Sequence, residues 1–234
     1  MTSVFKFKQF ELDQTDCGMK ISTDGIAFGS WVDATGARRI LDVGAGSGLL
    51  SLMLAQLFPH AQIDAIEIEP TAAQRARENF ANSPWSDRLT LIEGDFKEYK
   101  STENYDLIVS NPPYYSTTHN YSSSRRKLAR NSNSLSPGDL VKGAQRLSAN
   151  GTLSVIIPAR LEDEFKEICR TNSFEKVIDS TELVSIAGKP ANRVMLAVSP
   201  KGQSQAGERN SLVIYDENSA YTEQFLKKTE AFYL

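Results

Sequence analysis

The sequence predicts an α/β fold built on a mostly parallel sheet, and three observations predict it. From Arg39 onward, short apolar runs alternate with segments of helical period, the order that produces βαβ units. The first of those runs ends in Gly44-Ala45-Gly46-Ser47-Gly48, a glycine-rich turn of the kind that joins a strand to a helix. The 234 residues are 40% hydrophobic and 24% charged, enough for one full-sized domain with a sizeable core.

Taken in order, Val4 to Leu12 alternates Phe5, Phe7 and Phe10 with polar residues and reads as a strand, and Gly25 to Val32 as a short helix. Ile40–Val43 is the first core strand, and Leu49 to Phe58 an apolar helix stopped by Pro59. Ile63–Ile66 is the second strand, and Pro70, in a position where helices accept proline, opens a helix to Asn82. Arg88–Ile92 and Tyr105–Val109 are the third and fourth strands. The fourth ends in Ser110-Asn111-Pro112-Pro113-Tyr114-Tyr115, whose prolines forbid further ladder pairing on their nitrogen side. Ser136 as cap and Pro137 at the first position start a helix to about Leu147. Gly151–Pro158 is the fifth strand and Leu161 to Asn172 a helix. Two strand-like runs, 175–186 and 193–199, then form an antiparallel hairpin expected at the sheet edge. Residues 201–210 read as a loop, Ser211–Tyr215 as a strand and Tyr221–Phe232 as a terminal amphipathic helix. The expected organisation is an N-terminal strand and helix, 1–38, packed on a core of 39–200. A C-terminal strand and helix, 201–234, belong to the same domain.

Composition excludes several classes. The N-terminus carries no basic region leading into a long apolar stretch, and no apolar run approaches the length of a membrane span, so an unprocessed cytoplasmic protein is expected. Cys17 and Cys169 are far apart and lack metal-ligand spacing, so neither a disulfide framework, a zinc site nor a catalytic thiol is expected. The net charge of −3 argues against nucleic-acid binding by charge balance alone, and local basic clusters must carry that case.

The run Asp42-Val43-Gly44-Ala45-Gly46-Ser47-Gly48 is the candidate cofactor loop. Its glycines let backbone N–H groups approach a ligand beside a helix N-terminus with its partial positive charge. Dinucleotide sites space their glycines G-x-G-x-x-G around a pyrophosphate, whereas here the spacing is G-x-G-x-G. That favours S-adenosylmethionine, which has a carboxylate and a sulfonium and no phosphate. Glu67, at the end of the second strand, stands where an acidic side chain accepts from ribose hydroxyls, with Glu69 as a competitor. Asp95 is placed to accept from the cofactor's adenine amine, with Phe96 against the ring.

Asn111-Pro112-Pro113-Tyr114 is the candidate catalytic segment. The amine of adenine is a poor nucleophile because its lone pair is delocalised into the ring. Two acceptors, the side-chain oxygen of Asn111 and the carbonyl of Pro112, can each take one amine hydrogen and favour a pyramidal nitrogen facing the sulfonium. Pro113 holds that carbonyl rigidly. Tyr114 can stack on a target base, worth roughly 1–3 kcal/mol. Alone, the four residues are equally readable as an ordinary turn after a strand; the glycine loop at strand one favours the catalytic reading.

With these motifs, the chain resembles the class I methyltransferases that carry a (D/N/S)PPY motif and modify planar nitrogens of adenine, cytosine or glutamine. Residues 21–31 (Ile-Ser-Thr-Asp-Gly-Ile-Ala-Phe-Gly-Ser-Trp), Asp42–Gly48, Ser110–Tyr115, Ala129-Arg130 and Phe232-Tyr233-Leu234 resemble the bacterial branch that methylates N6 of adenine 37 in valine tRNA. The resemblance implies a Rossmann-like, seven-stranded sheet with its last strand reversed, S-adenosylmethionine as cofactor and tRNA as partner, with no metal. It places Thr23-Asp24 at the cofactor entrance, although a helix N-cap explains those residues equally well. Arg125-Arg126-Lys127 and Arg130, together with Tyr115, form a candidate substrate clamp beside the pocket; a solvated charged face is the alternative. A monomer is expected. A release-factor glutamine methyltransferase is the rival, but it normally carries a helical N-terminal domain, and about 38 residues before the first core strand are too few for one. A DNA adenine methyltransferase would need a target-recognition insertion, and an inactive RNA-binding relative would not need intact Gly44, Gly46, Gly48, Glu67 and Asn111.

Overall fold

The computed structural model describes residues 3–18, 20–101, 103–112, 135–174, 176–200 and 209–233. Ten strands and six helices are present among them. The strands are β1 (Val4–Lys6), β2 (Glu11–Asp13), β3 (Arg39–Val43), β4 (Gln62–Glu67), β5 (Leu89–Glu93), β6 (Tyr105–Ser110), β7 (Leu147–Pro158), β8 (Lys176–Ile186), β9 (Arg193–Ser199) and β10 (Arg209–Tyr215). The helices are α1 (Thr23–Trp31), α2 (Leu49–Leu57), α3 (Pro70–Ala81), α4 (Pro137–Gly143), α5 (Glu162–Thr171) and α6 (Glu223–Thr229).

β3 to β10 form one eight-stranded sheet in the order β10-β8-β9-β7-β6-β3-β4-β5. Within it β9 alone runs against its neighbours; every other adjacent pair is parallel. The α/β class and the mostly parallel sheet are therefore as the alternation predicts. The reversed strand is not at the edge: β8 and β9 form the expected hairpin, but β10 pairs in parallel with the outer side of β8 and becomes the eighth strand. The cause is burial, since joining the sheet takes Leu212 and Ile214 of β10 to 4% and 1% exposure.

Strand alternation sends successive side chains to opposite faces, and the core divides accordingly. Ile40, Ile63, Leu107 and Val109 pack with Phe28, Leu52, Met53, Phe80, Phe225 and Phe232 on the face covered by α1, α2, α3 and α6. Leu41, Val43, Ile108 and Leu153 pack with Leu140, Val141, Phe165 and Cys169 of α4 and α5 on the other.

Local chemistry sets most boundaries. Ser136 caps α4 in a full capping box with Asp139, and Pro137 occupies the first turn; α4 then tightens into a 3₁₀ turn at Ala144–Arg146. β7 begins at Leu147, earlier than its glycine suggests. The N-terminal segment departs from a single strand: β1 and β2 pair antiparallel, Val4 opposite Asp13, in a separate two-stranded ribbon. A turn closed by Phe7 N–H donating to the Phe10 carbonyl (2.9 Å) folds Phe5, Phe7 and Phe10 onto one another and Phe10 against Trp85. The terminal helix is shorter than predicted because Tyr221 is bridged to Tyr215 and Thr222 caps the helix by accepting from Phe225 N–H. Of the predicted 201–210 loop, 201–208 lie outside the described residues, and Arg209 and Asn210 belong to β10.

Candidate active site

Register brings the C-terminal ends of the central strands level. Val43 stands opposite both Ile66 and Ser110, Ile66 opposite Ile92, and Ser110 opposite Val155. The glycine loop leaves this rim from β3, Glu67 from β4, Glu93-Gly94-Asp95 from β5 and Asn111 from β6. In open α/β sheets, ligands bind along such a rim where strand order reverses, and here it reverses between β3 and β6.

Gly44, Gly46 and Gly48 have φ of +75°, +57° and +89°, the left-handed region that favours glycine. Their roles differ. A side-chain carbon added at Gly44 or Gly46 would meet nothing within 4 Å, whereas one at Gly48 would lie 2.5 Å from the Phe80 ring. Gly48 is a packing glycine; Gly44 and Gly46 border open space in front of the strand ends. The loop is fixed from below, with Gly44 and Ala45 N–H donating to the Ile66 carbonyl (2.9 and 3.2 Å) and the Asn79 amide donating to the Ser47 carbonyl (2.8 Å).

Glu67 is 8% exposed and holds the turn. One carboxylate oxygen accepts from Gly46 N–H (2.8 Å) and the other from Glu69 N–H (2.9 Å). Each oxygen retains a second acceptor site, so bracing the loop leaves capacity for a ligand. Glu69 is not a competitor, because its carboxylate caps α3 by accepting from Thr71 and Ala72 N–H.

Asp42 is fully buried. One oxygen accepts from the N–H and hydroxyl of Ser51 in the first turn of α2 (3.2 and 2.7 Å), and the other has no partner among the described residues. Burial, only partly opposed by Ser51, pushes its pKa up to about 7. Asp42 thus locks the loop to α2 from underneath and does not face the open space.

The structure places Phe96 and Asp95 differently from one another. The Phe96 ring is 5% exposed, packs in the α4–α5 side of the core and lies under Gly143 and the Arg146 guanidinium. Burial among apolar neighbours stabilises the ring there. Asp95 accepts from Lys97 N–H (2.9 Å) and lies 3.5 Å from the Lys97 ammonium.

Asn111 directly follows Ser110, whose buried hydroxyl donates to the Val43 carbonyl (2.8 Å) and clamps the ends of β6 and β3 together. The Asn111 amide nitrogen would stand 3.7 Å from a carbon added at Gly25, so the first turn of α1 faces the catalytic candidate. Ser22, not Thr23 or Asp24, caps α1 by accepting from Gly25 N–H. Asp24 pairs with Arg193 at the start of β9 (3.4 Å), and burial raises its pKa against that attraction. Pro112 is buried and borders a shallow depression with Leu135 to Pro137 and Leu140. Pro113, Tyr114, Tyr115, Arg125, Arg126, Lys127 and Arg130 lie outside the described residues. No local motif signals the Arg193 and Asn79 contacts, which arise between distant segments.

Among the described residues no cluster of His, Cys, Asp and Glu could hold a metal, and no helix is long and apolar enough to cross a membrane. Burial pushes the Cys169 thiol up to about 12 and raises that of Cys17, so neither supplies a thiolate.

Residues 27–178 match the model of the methyltransferase small domain. The chain belongs to the methyltransferase small domain family. Relatives of this methyltransferase include proteins of Aeromonas hydrophila (41% identical, covering 99% of this chain and 98% of the relative), Haemophilus influenzae (40%; 99% and 99%) and Aliivibrio fischeri (39%; 100% and 99%). All three are named tRNA1(Val) (adenine(37)-N6)-methyltransferase. In structure the methyltransferase is similar to a predicted O-methyltransferase of Agrobacterium tumefaciens (TM-score 0.69, 21% identity, 89% of this chain and 96% of that one). It is also similar to Pyrococcus horikoshii TYW2 in complex with MeSAdo (TM-score 0.59, 15% identity, 86% and 72%). These structural likenesses bear on the fold.

Proposed function

We propose that this methyltransferase moves the methyl group of S-adenosylmethionine to the exocyclic N6 of an adenine in tRNA, at adenine 37 of valine tRNA. The observation that carries the reading is that Asn111 follows directly on β6 at Ser110, which pairs with Val43 of β3 just before the glycine turn, so a hydrogen-bond acceptor stands beside the open space at Gly44 and Gly46. The names of its full-length relatives supply the substrate.

The site residues suit the cofactor. Open space at Gly44, Gly46 and Gly94 gives room, the turn and the α2 N-terminus favour the anionic methionine carboxylate, and Glu67 offers acceptors for ribose hydroxyls. Asp95 would accept from the adenine amine. When bound, S-adenosylmethionine supplies an electrophilic methyl on a sulfonium.

The chain's own residues prepare the nucleophile. The Asn111 side-chain oxygen and the Pro112 carbonyl each accept one N6 hydrogen, which reduces conjugation of the nitrogen lone pair with the ring and aims it across the β3–β6 rim. Pro113 stiffens the carbonyl, and Tyr114 supplies a stacking face for a base taken out of its loop. Tyr115, Arg125, Arg126, Lys127 and Arg130 follow as substrate contacts. No general base is needed before transfer, because the cationic product amine loses its proton readily to solvent.

The test is to incubate the protein with methyl-labelled S-adenosylmethionine and, separately, bulk tRNA, duplex DNA and peptide-release factor. Label in tRNA supports the reading; label only in release factor makes the acceptor a glutamine amide.

A further inference from the structure

The strand-end rim is polarised in charge about Asn111. On the β4–β5 side it carries Glu67, Glu69, Glu93 and Asp95, partly offset by Arg77 on Glu93 (3.3 Å) and Lys97 on Asp95 (3.5 Å). On the β7–β9–β8 side it carries cations. Arg160 follows the end of β7 and Arg193 opens β9. They are brought together by the pairing of Pro158 with Arg193 and by Ala159 N–H donating to the Asn192 carbonyl (3.1 Å). Lys189 lies in the β8–β9 turn at the same end of the sheet, its N–H donating to the Ile186 carbonyl (3.1 Å).

Arg160 and Lys189 are exposed, and neither has a carboxylate within ion-pair distance among the described residues. Arg193 is half-buried and its Nε faces Asp24, which fixes the guanidinium beside the first turn of α1, the turn that faces Asn111. Asp163 and Glu164 follow Arg160 in the first turn of α5, where the helix dipole favours them. A protein of net charge −3 cannot attract a polyanion by overall field, so attraction must be local.

We infer that the Arg160–Lys189–Arg193 rim is the surface along which the phosphate backbone of the RNA substrate lies as its target base enters at Asn111. The inference rests on the RNA reading above. Phosphate contacts fix position and register without reading sequence, and approach from the β4–β5 side would set phosphates against Glu69, Glu93 and Asp95. The substrate strand therefore crosses β7, β9 and β8, away from the cofactor side.

The test compares Arg160→Gln/Lys189→Gln with Lys227→Gln/Lys228→Gln, which removes the same charge from α6. The rim variant should raise the KM for tRNA about tenfold near 0.1 M salt and shallow the log–log salt dependence of tRNA affinity by about 1.5. The α6 variant should change KM less than about twofold. S-adenosylhomocysteine affinity, measured by calorimetry, should match in all three proteins and reports intact folding. An unchanged KM and salt slope in the rim variant overturns the inference, as does an equal loss in the α6 variant. If the unsubstituted protein methylates no RNA, the RNA reading itself fails, and that outcome is seen before any variant is compared.

Discussion

At the residue scale, two polar side chains divide the work of the site. Asn111 is held in place by the Ser110–Val43 clamp, so Asn111→Ala should remove an acceptor without moving the glycine loop. Methyl transfer should fall at least about 100-fold, with S-adenosylhomocysteine affinity by calorimetry within about threefold; loss of both would make Asn111 a structural residue. Asp42 works by burial. Its folded pKa of about 7 lies above the unfolded value, so the folded state holds the extra proton between roughly pH 4 and 7. Stability must then decline as pH rises through that window and level off above it, by a few kcal/mol at most. Asp42→Asn keeps an acceptor for Ser51 and removes the titration. Thermal melts at about pH 5 and pH 8 should show the native protein losing stability relative to this variant; a pH-independent difference would contradict it. The asparagine was legible because its chemistry is local to one motif. The core position of the Phe96 ring was not legible, because sequence adjacency to Asp95 says nothing about which face of the sheet a ring enters.

At the element scale, the three glycines of one turn separate into two kinds. Gly48→Ala drives a carbon into Phe80 at φ +89° and should cost about 1–3 kcal/mol in urea unfolding. Gly46→Ala meets open space and should cost about 1 kcal/mol, yet lower cofactor affinity tenfold or more by filling the cradle. Equal effects of the two on cofactor affinity would remove the distinction. Core strands β3 to β7 and their helices were readable because caps, prolines and glycines act within a few residues, as in the Ser136–Asp139 capping box. The N-terminal ribbon and β10 were not, because pairing Val4 with Asp13 and Arg209 with Ser180 is decided by tertiary burial rather than by periodicity.

At the scale of the whole molecule, the C-terminal segment is built into the core. Lys8 N–H and the Gln56 side chain donate to the Phe232 and Ala231 carbonyls (2.9 and 2.7 Å), while Phe225 and Phe232 are buried against the face that carries α1 and α2. Phe232→Ala should therefore destabilise the entire fold by about 3–5 kcal/mol in a single urea transition; a separate early transition of the C-terminal segment would show that it is not part of the core. The same integration carries the rim charges to Asn111, since Arg193 reaches α1 through Asp24. That coupling is invisible in sequence, where the two residues lie in different halves of the chain.

The central claim is a methyl group placed on one nitrogen of one nucleotide. It is tested most directly by mass-spectrometric mapping of valine tRNA after reaction with the purified protein and S-adenosylmethionine, beside a transcript carrying guanine at position 37. One new methyl is expected, on N6 of adenine 37, and none in the guanine transcript. Methylation at another nucleotide, or on release factor with tRNA unmodified, would contradict it.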